Sequence, residues 1–60
     1  MSNIYVEQGY KNRKDYLETL ADNYCVPVGD VITLASILGR DEDFDGLVTR
    51  IEDYAATLNN

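Results

Sequence analysis

From Asn12 onward the apolar residues recur every three or four positions, and the recurrence is interrupted twice. In the first segment Tyr16, Leu17, Leu20, Ala21 and Tyr24 share one face, while Asp15, Glu18, Thr19, Asp22 and Asn23 take the other. This spacing predicts a helix over about 13–24, with Asn12 as its N-cap. Cys25 and Val26 make a turn, and Pro27 suits the start of a new helix because its missing N–H would have no intrahelical partner there. The second helix runs over about 28–38 and is ended by Gly39. In the third segment Phe44, Leu47, Val48, Ile51, Tyr54, Ala55 and Leu58 fall in a narrow arc of the helical wheel, the cleanest period in the chain. It predicts a helix over about 43–58 whose first turn is capped by the Asp43 carboxylate. Ahead of these segments, Ile4 and Val6 lie on one side of an extended stretch and Gly9 breaks it, which predicts an irregular or short extended arm. The expected fold is all-α, a single three-helix domain over residues 1–60 with the second helix central.

The second helix has an unusually wide apolar face. Val31, Leu34, Ala35 and Leu38 form its core stripe, but Val28, Ile32 and Ile37 leave only Gly29, Asp30, Thr33 and Ser36 for water. Such a helix is either sandwiched between its neighbours or is half of an interface. In the second case Ile32 and Ile37 are the candidate contacts, with a partner protein or in a homodimer. Ala21, Cys25, Val26 and Val31 also occupy the positions of a helix-turn-helix corner. As DNA recognition the corner fails, because the second helix carries Asp30 and no Lys or Arg.

Size and charge narrow the possibilities further. A chain of 60 residues buries only about 60% of its unfolded surface, so the core is small. With one cysteine no internal disulfide is possible, which points to a reducing cytoplasm. The first residues lack a basic region followed by an apolar run, and no stretch approaches the ~18 apolar residues of a membrane span, so no membrane association is expected. The net charge is −6, with six acids against Arg50 alone in residues 41–60. Phosphate backbones repel such a surface, so direct nucleic-acid binding is not expected, although a protein imitating nucleic acid would want this sign. Asp41, Glu42, Asp43, Asp45, Glu52 and Asp53 would carry such mimicry. Lys11, Arg13 and Lys14 cluster at the start of the first helix, where they read as a solvated face paired with Asp15 or Glu18.

Asp41, Asp43, Asp45, Gly46 and Glu52 stand at the spacing D-x-D-x-D-G-x5-E, the pattern of an EF-hand loop in which Asp41, Asp43, Asp45 and Glu52 would hold calcium. The loop and the third helix exclude each other. Phe44 and Leu47 would become the fourth and seventh loop residues, near solvent, which wastes the best apolar residues of the segment. The helix is therefore the preferred reading, and neither a metal nor a cofactor is expected. Catalytic chemistry is equally poorly supplied: there is no histidine, and neither Cys25 nor Ser36 has a partner base in sequence. Cys25 reads as a small buried residue at the corner, and Tyr16, Tyr24 and Tyr54 as core-margin residues with hydroxyls in water.

The segments Asn12-Arg13-Lys14-Asp15-Tyr16-Leu17, Leu34-Ala35-Ser36-Ile37-Leu38-Gly39 and Glu42-Asp43-Phe44-Asp45-Gly46-Leu47 resemble those of a group of short, acidic proteins of Gram-positive bacteria and their mobile elements. The resemblance spans about residues 10–55 and implies a setting, with no activity, cofactor or binding residue attached. The chain is thus expected to be a non-catalytic protein-interaction or regulatory module, contacting an unidentified protein through Ile32, Ile37, Asp41, Glu42 and Asp45. The alternatives are an acidic mimic that inhibits a host-defence enzyme and a single EF-hand-like calcium domain.

Overall fold

The computed structural model describes residues 3–58. Among them the chain forms α1 (Ile4–Glu7), α2 (Arg13–Tyr24), α3 (Val28–Leu38), a 3-10 turn (Arg40–Glu42) and α4 (Gly46–Leu58), with no strand. The fold is all-α, and none of the described helices is long and apolar enough to cross a membrane.

Local chemistry sets the ends of α2 and α3. The Asn12 side chain accepts from the Asp15 N–H at 2.9 Å and so satisfies one of the orphan donors of α2. At the other end Cys25 adopts a left-handed conformation with φ 54°. Its N–H reaches the Asp22 carbonyl at 3.3 Å and the Val26 N–H reaches the Ala21 carbonyl at 3.0 Å, the paired bonds of a Schellman motif. The motif turns Val26 into the core and leaves Cys25 exposed, which reverses the expected burial of Cys25. Pro27 then opens α3, its carbonyl accepting from Asp30 and Val31. Gly39, at φ 90°, ends that helix in a conformation that favours glycine.

Leu47 and Ile51 of α4, with Val31 and Ala35 of α3, sit at the centre of the core, and Tyr16, Leu17, Leu20 and Ala21 of α2 close it. Helix α3 packs against both α2 and α4. It is central without being fully covered, since Val28, Ile32 and Ile37 remain exposed.

Two expectations are corrected. Residues 4–7 form one helical turn, begun by the Asn3 side chain accepting from the Tyr5 N–H at 2.9 Å, and not an extended arm. The turn points Tyr5 inward and leaves Ile4 and Val6 exposed. The last helix begins at Gly46, three residues later than expected, with residues 43–45 forming a turn. Asp43 is not its cap. The Asp45 carbonyl accepts the Thr49 N–H at 3.3 Å, and the Glu42 carboxylate receives the Gly46 N–H at 3.1 Å.

Candidate functional site

Asp43 is displaced from the helix start because its side chain is used elsewhere. Its exposure is 0%. Oδ2 accepts from the Tyr5 hydroxyl at 2.5 Å and from Arg13 Nε at 2.7 Å, and Oδ1 accepts from Arg13 Nη2 at 3.0 Å. Arg13 Nη2 also donates to the Ala35 carbonyl at 3.2 Å, and the Tyr16 hydroxyl donates to the Asp43 carbonyl at 2.5 Å. The Asp43 carboxylate thus ties α1 and α2 to the turn that precedes α4, and the Arg13 guanidinium extends the tie to α3. Aromatic rings roof it: Phe44 stacks on Tyr16 with centroids 4.3 Å apart and lies 5.6 Å from Tyr5. A two-pronged guanidinium–carboxylate pair with an added hydroxyl donor is the arrangement that makes a buried charge tolerable.

The titration behaviour of the partners follows from this geometry. Burial pushes the Tyr5 hydroxyl above its ordinary value, and its bond to Asp43 adds to the shift. Burial likewise raises Tyr16, to about 12. The hydrogen bond to Asp43 holds the Arg13 guanidinium above its ordinary range. Among the described residues every buried side-chain nitrogen and oxygen has a partner. The knot turns its polar groups toward one another and is a structural element. It also corrects two expectations, since Arg13 belongs to the interior pair and not to a solvated basic face, and the Tyr16 hydroxyl is out of water.

The same geometry disperses the EF-hand pattern. Asp43 points inward, Asp41 and Asp45 are exposed, Glu42 serves the first N–H of α4, and Glu52 lies exposed on α4 beyond its first turn. Among the described residues no group of three or more His, Cys, Asp or Glu side chains is placed to hold a metal ion. Of the six acids that nucleic-acid mimicry would use, Asp43 and Glu42 are engaged internally. Asp41, Asp45, Glu52 and Asp53 remain on the surface.

The apolar candidates lie on α3. Ile32 is 44% exposed and Ile37 73%. Five residues apart on a helix, they are separated by about 140° around the axis, so they do not share one surface. Val28, 41% exposed, is one turn from Ile32 and on its side. Val28 also lines a shallow groove with Ala21 and Val26 as its apolar floor and Glu18, Asp22 and Cys25 around it. On the opposite flank of α3 the Tyr54 hydroxyl donates to Asp30 Oδ2 at 2.6 Å, a bond that raises the Tyr54 pKa and fixes a hydroxyl expected to be free in water.

The Tyr5–Arg13–Asp43 knot left no trace in residue spacing, because its members are thirty and thirty-eight positions apart. The one available signal was Arg13 itself, a cation in a first helical turn where the dipole disfavours it. Comparison of the chain with protein-family models, with curated proteins and with solved structures finds no match.

Proposed function

We propose that this chain is a small, non-catalytic module that acts in the cytoplasm by contacting another protein, through the face of α3 that carries Val28 and Ile32. The observation that carries this reading is the pair itself. Two β-branched residues one helical turn apart remain exposed on the most apolar helix of a domain whose core is too small to waste them. Scattered apolar residues such as Val6 are ordinary on any surface, whereas adjacent ones beside a groove with an apolar floor form a patch. The polar clusters compete poorly as a site, because Asp43 and Arg13 satisfy each other and Glu42 serves α4.

The acidic-mimic reading keeps Asp41 and Asp45 as exposed charges, and the two readings separate in one experiment. Tagged wild type, Ile32→Glu and an Asp41→Lys/Asp45→Lys variant are used to capture protein from an extract of the source cells, with circular dichroism confirming that each variant is folded. The proposal expects one protein to be retained by wild type and the lysine variant and lost by Ile32→Glu. Loss with the lysine variant and retention by Ile32→Glu overturns it in favour of mimicry.

A further inference from the structure

The groove between the end of α2 and the start of α3 has a chemical character that defines its occupant. Ala21 and Val26 are buried in its floor and Val28 stands exposed on its wall. Ile32 lies beyond the groove, exposed one turn further along the same side of α3. Glu18 and Asp22 form the opposite rim, one helical turn apart on α2 and both exposed. Neither carboxylate is in an ion pair among the described residues, where Arg13–Asp43 is the one such pair. Lys14, one turn before Glu18 on the same face, is the nearest cation along α2. The channel therefore has an apolar wall on one side and two free negative charges on the other.

Resting on the docking reading above, we propose that the occupant is a basic amphipathic helical segment of the partner protein. Its apolar residues pack on Val28 and Ile32, and its Lys or Arg side chains face Glu18 and Asp22. Apolar anchors supply the burial, and the charged rim fixes orientation and selects against acidic segments. The net charge of −6 favours the approach of such a segment over longer range.

The test uses synthetic helical peptides that present leucines one turn apart on one face, with lysines beside them in one peptide and glutamates in the other. Each is titrated into the full chain while backbone amide signals are followed by NMR. The Leu/Lys peptide is expected to shift amides around Glu18, Asp22, Val28 and Ile32, and the Leu/Glu peptide is not. Glu18→Lys/Asp22→Lys should weaken the Leu/Lys peptide on the order of tenfold and admit the Leu/Glu peptide, a reversal that a merely destabilised variant would not show. If both peptides bind the wild-type groove equally, the basic occupant is wrong and apolar docking stands. If the Leu/Lys peptide instead shifts amides around Asp41, Asp45 and Glu52, or neither peptide binds, the proposal fails. If wild type alone dimerises through Ile32 in sedimentation, a second copy is the occupant and the basic segment is excluded.

Discussion

The Tyr5 hydroxyl and Asp43 Oδ2 meet at 2.5 Å although thirty-eight positions of chain separate them. Arg13 holds the same carboxylate through both of its oxygens, so two residues distant in sequence depend on one buried charge. Removing one member of a buried pair strands the other, at a cost of about 3–5 kcal/mol. A domain of 60 residues has only roughly 3–9 kcal/mol of total stability. Asp43→Ala and Arg13→Ala are therefore expected to unfold most or all of the protein. Tyr5→Phe removes one hydrogen bond to a charged group and should cost about 1.5–3 kcal/mol. Urea denaturation checks the ranking, and a loss for Asp43→Ala no larger than the ~1 kcal/mol typical of a helix cap would contradict the buried pair.

The raised tyrosines make the fold sensitive to alkali. Tyr16 keeps its proton to about 12 in the folded state, against an ordinary value of 10.0. Below pH 10 both states are protonated and the stabilising contribution of the Tyr16 hydroxyl is fully present. Between 10 and about 12 the unfolded chain releases a proton that the folded chain retains, so stability falls as pH rises through this window. Tyr5 shifts in the same direction. Helical signal followed against pH should show alkaline unfolding above pH 10, coincident with a late phase of tyrosinate absorbance. A tyrosine titration complete before any helix is lost would contradict the burial.

Glu42 has a structural task in place of the surface role suggested by its sequence position. Its carboxylate accepts the Gly46 N–H at 3.1 Å at the start of α4. Glu42→Ala should lower stability by about 0.5–2 kcal/mol, as for other losses at a helix N-terminus, and leave partner capture unchanged. Thermal melting and the capture experiment together test this, and loss of capture without loss of stability would return Glu42 to the interface.

Cys25 pairs an exposed thiol with a left-handed backbone. A non-glycine residue is disfavoured there, so Cys25→Gly should raise stability by about 0.5–1 kcal/mol. The thiol should also react with an alkylating reagent under native conditions as fast as in denaturant. Protection of the thiol, or a lower melting temperature for Cys25→Gly, would contradict the corner geometry.

The parts of the fold legible in the sequence are those written by neighbouring residues. Asn12, Pro27 and Gly39 bound α2 and α3 through caps and breakers within a few positions, and the period of Leu47, Ile51 and Ala55 marks the core face of α4. What was not legible depends on distant contacts. Asp43 has the type and place of an N-cap, yet Arg13 and Tyr5 draw its side chain inward. The alternation of Ile4 and Val6 suggested an extended arm, although one helical turn forms there and buries Tyr5 alone. Cys25 is apolar enough for a core, but the Schellman turn needs a left-handed residue at its position and buries Val26 instead. The wide apolar face of α3 was visible. Its division into an Ile32 side and an Ile37 side followed from helical geometry already present in the numbering.

The central claim is that the Val28–Ile32 side of α3 meets a protein partner, and the most direct measurement is site-specific photo-crosslinking in the source cells. A photoreactive residue is placed at position 32, 37 or 45 of the otherwise unchanged chain. All three positions are exposed, so each variant should fold. The account predicts a discrete adduct with another protein from position 32 and none from positions 37 or 45. An adduct from position 45 or 37 with none from position 32 would contradict it.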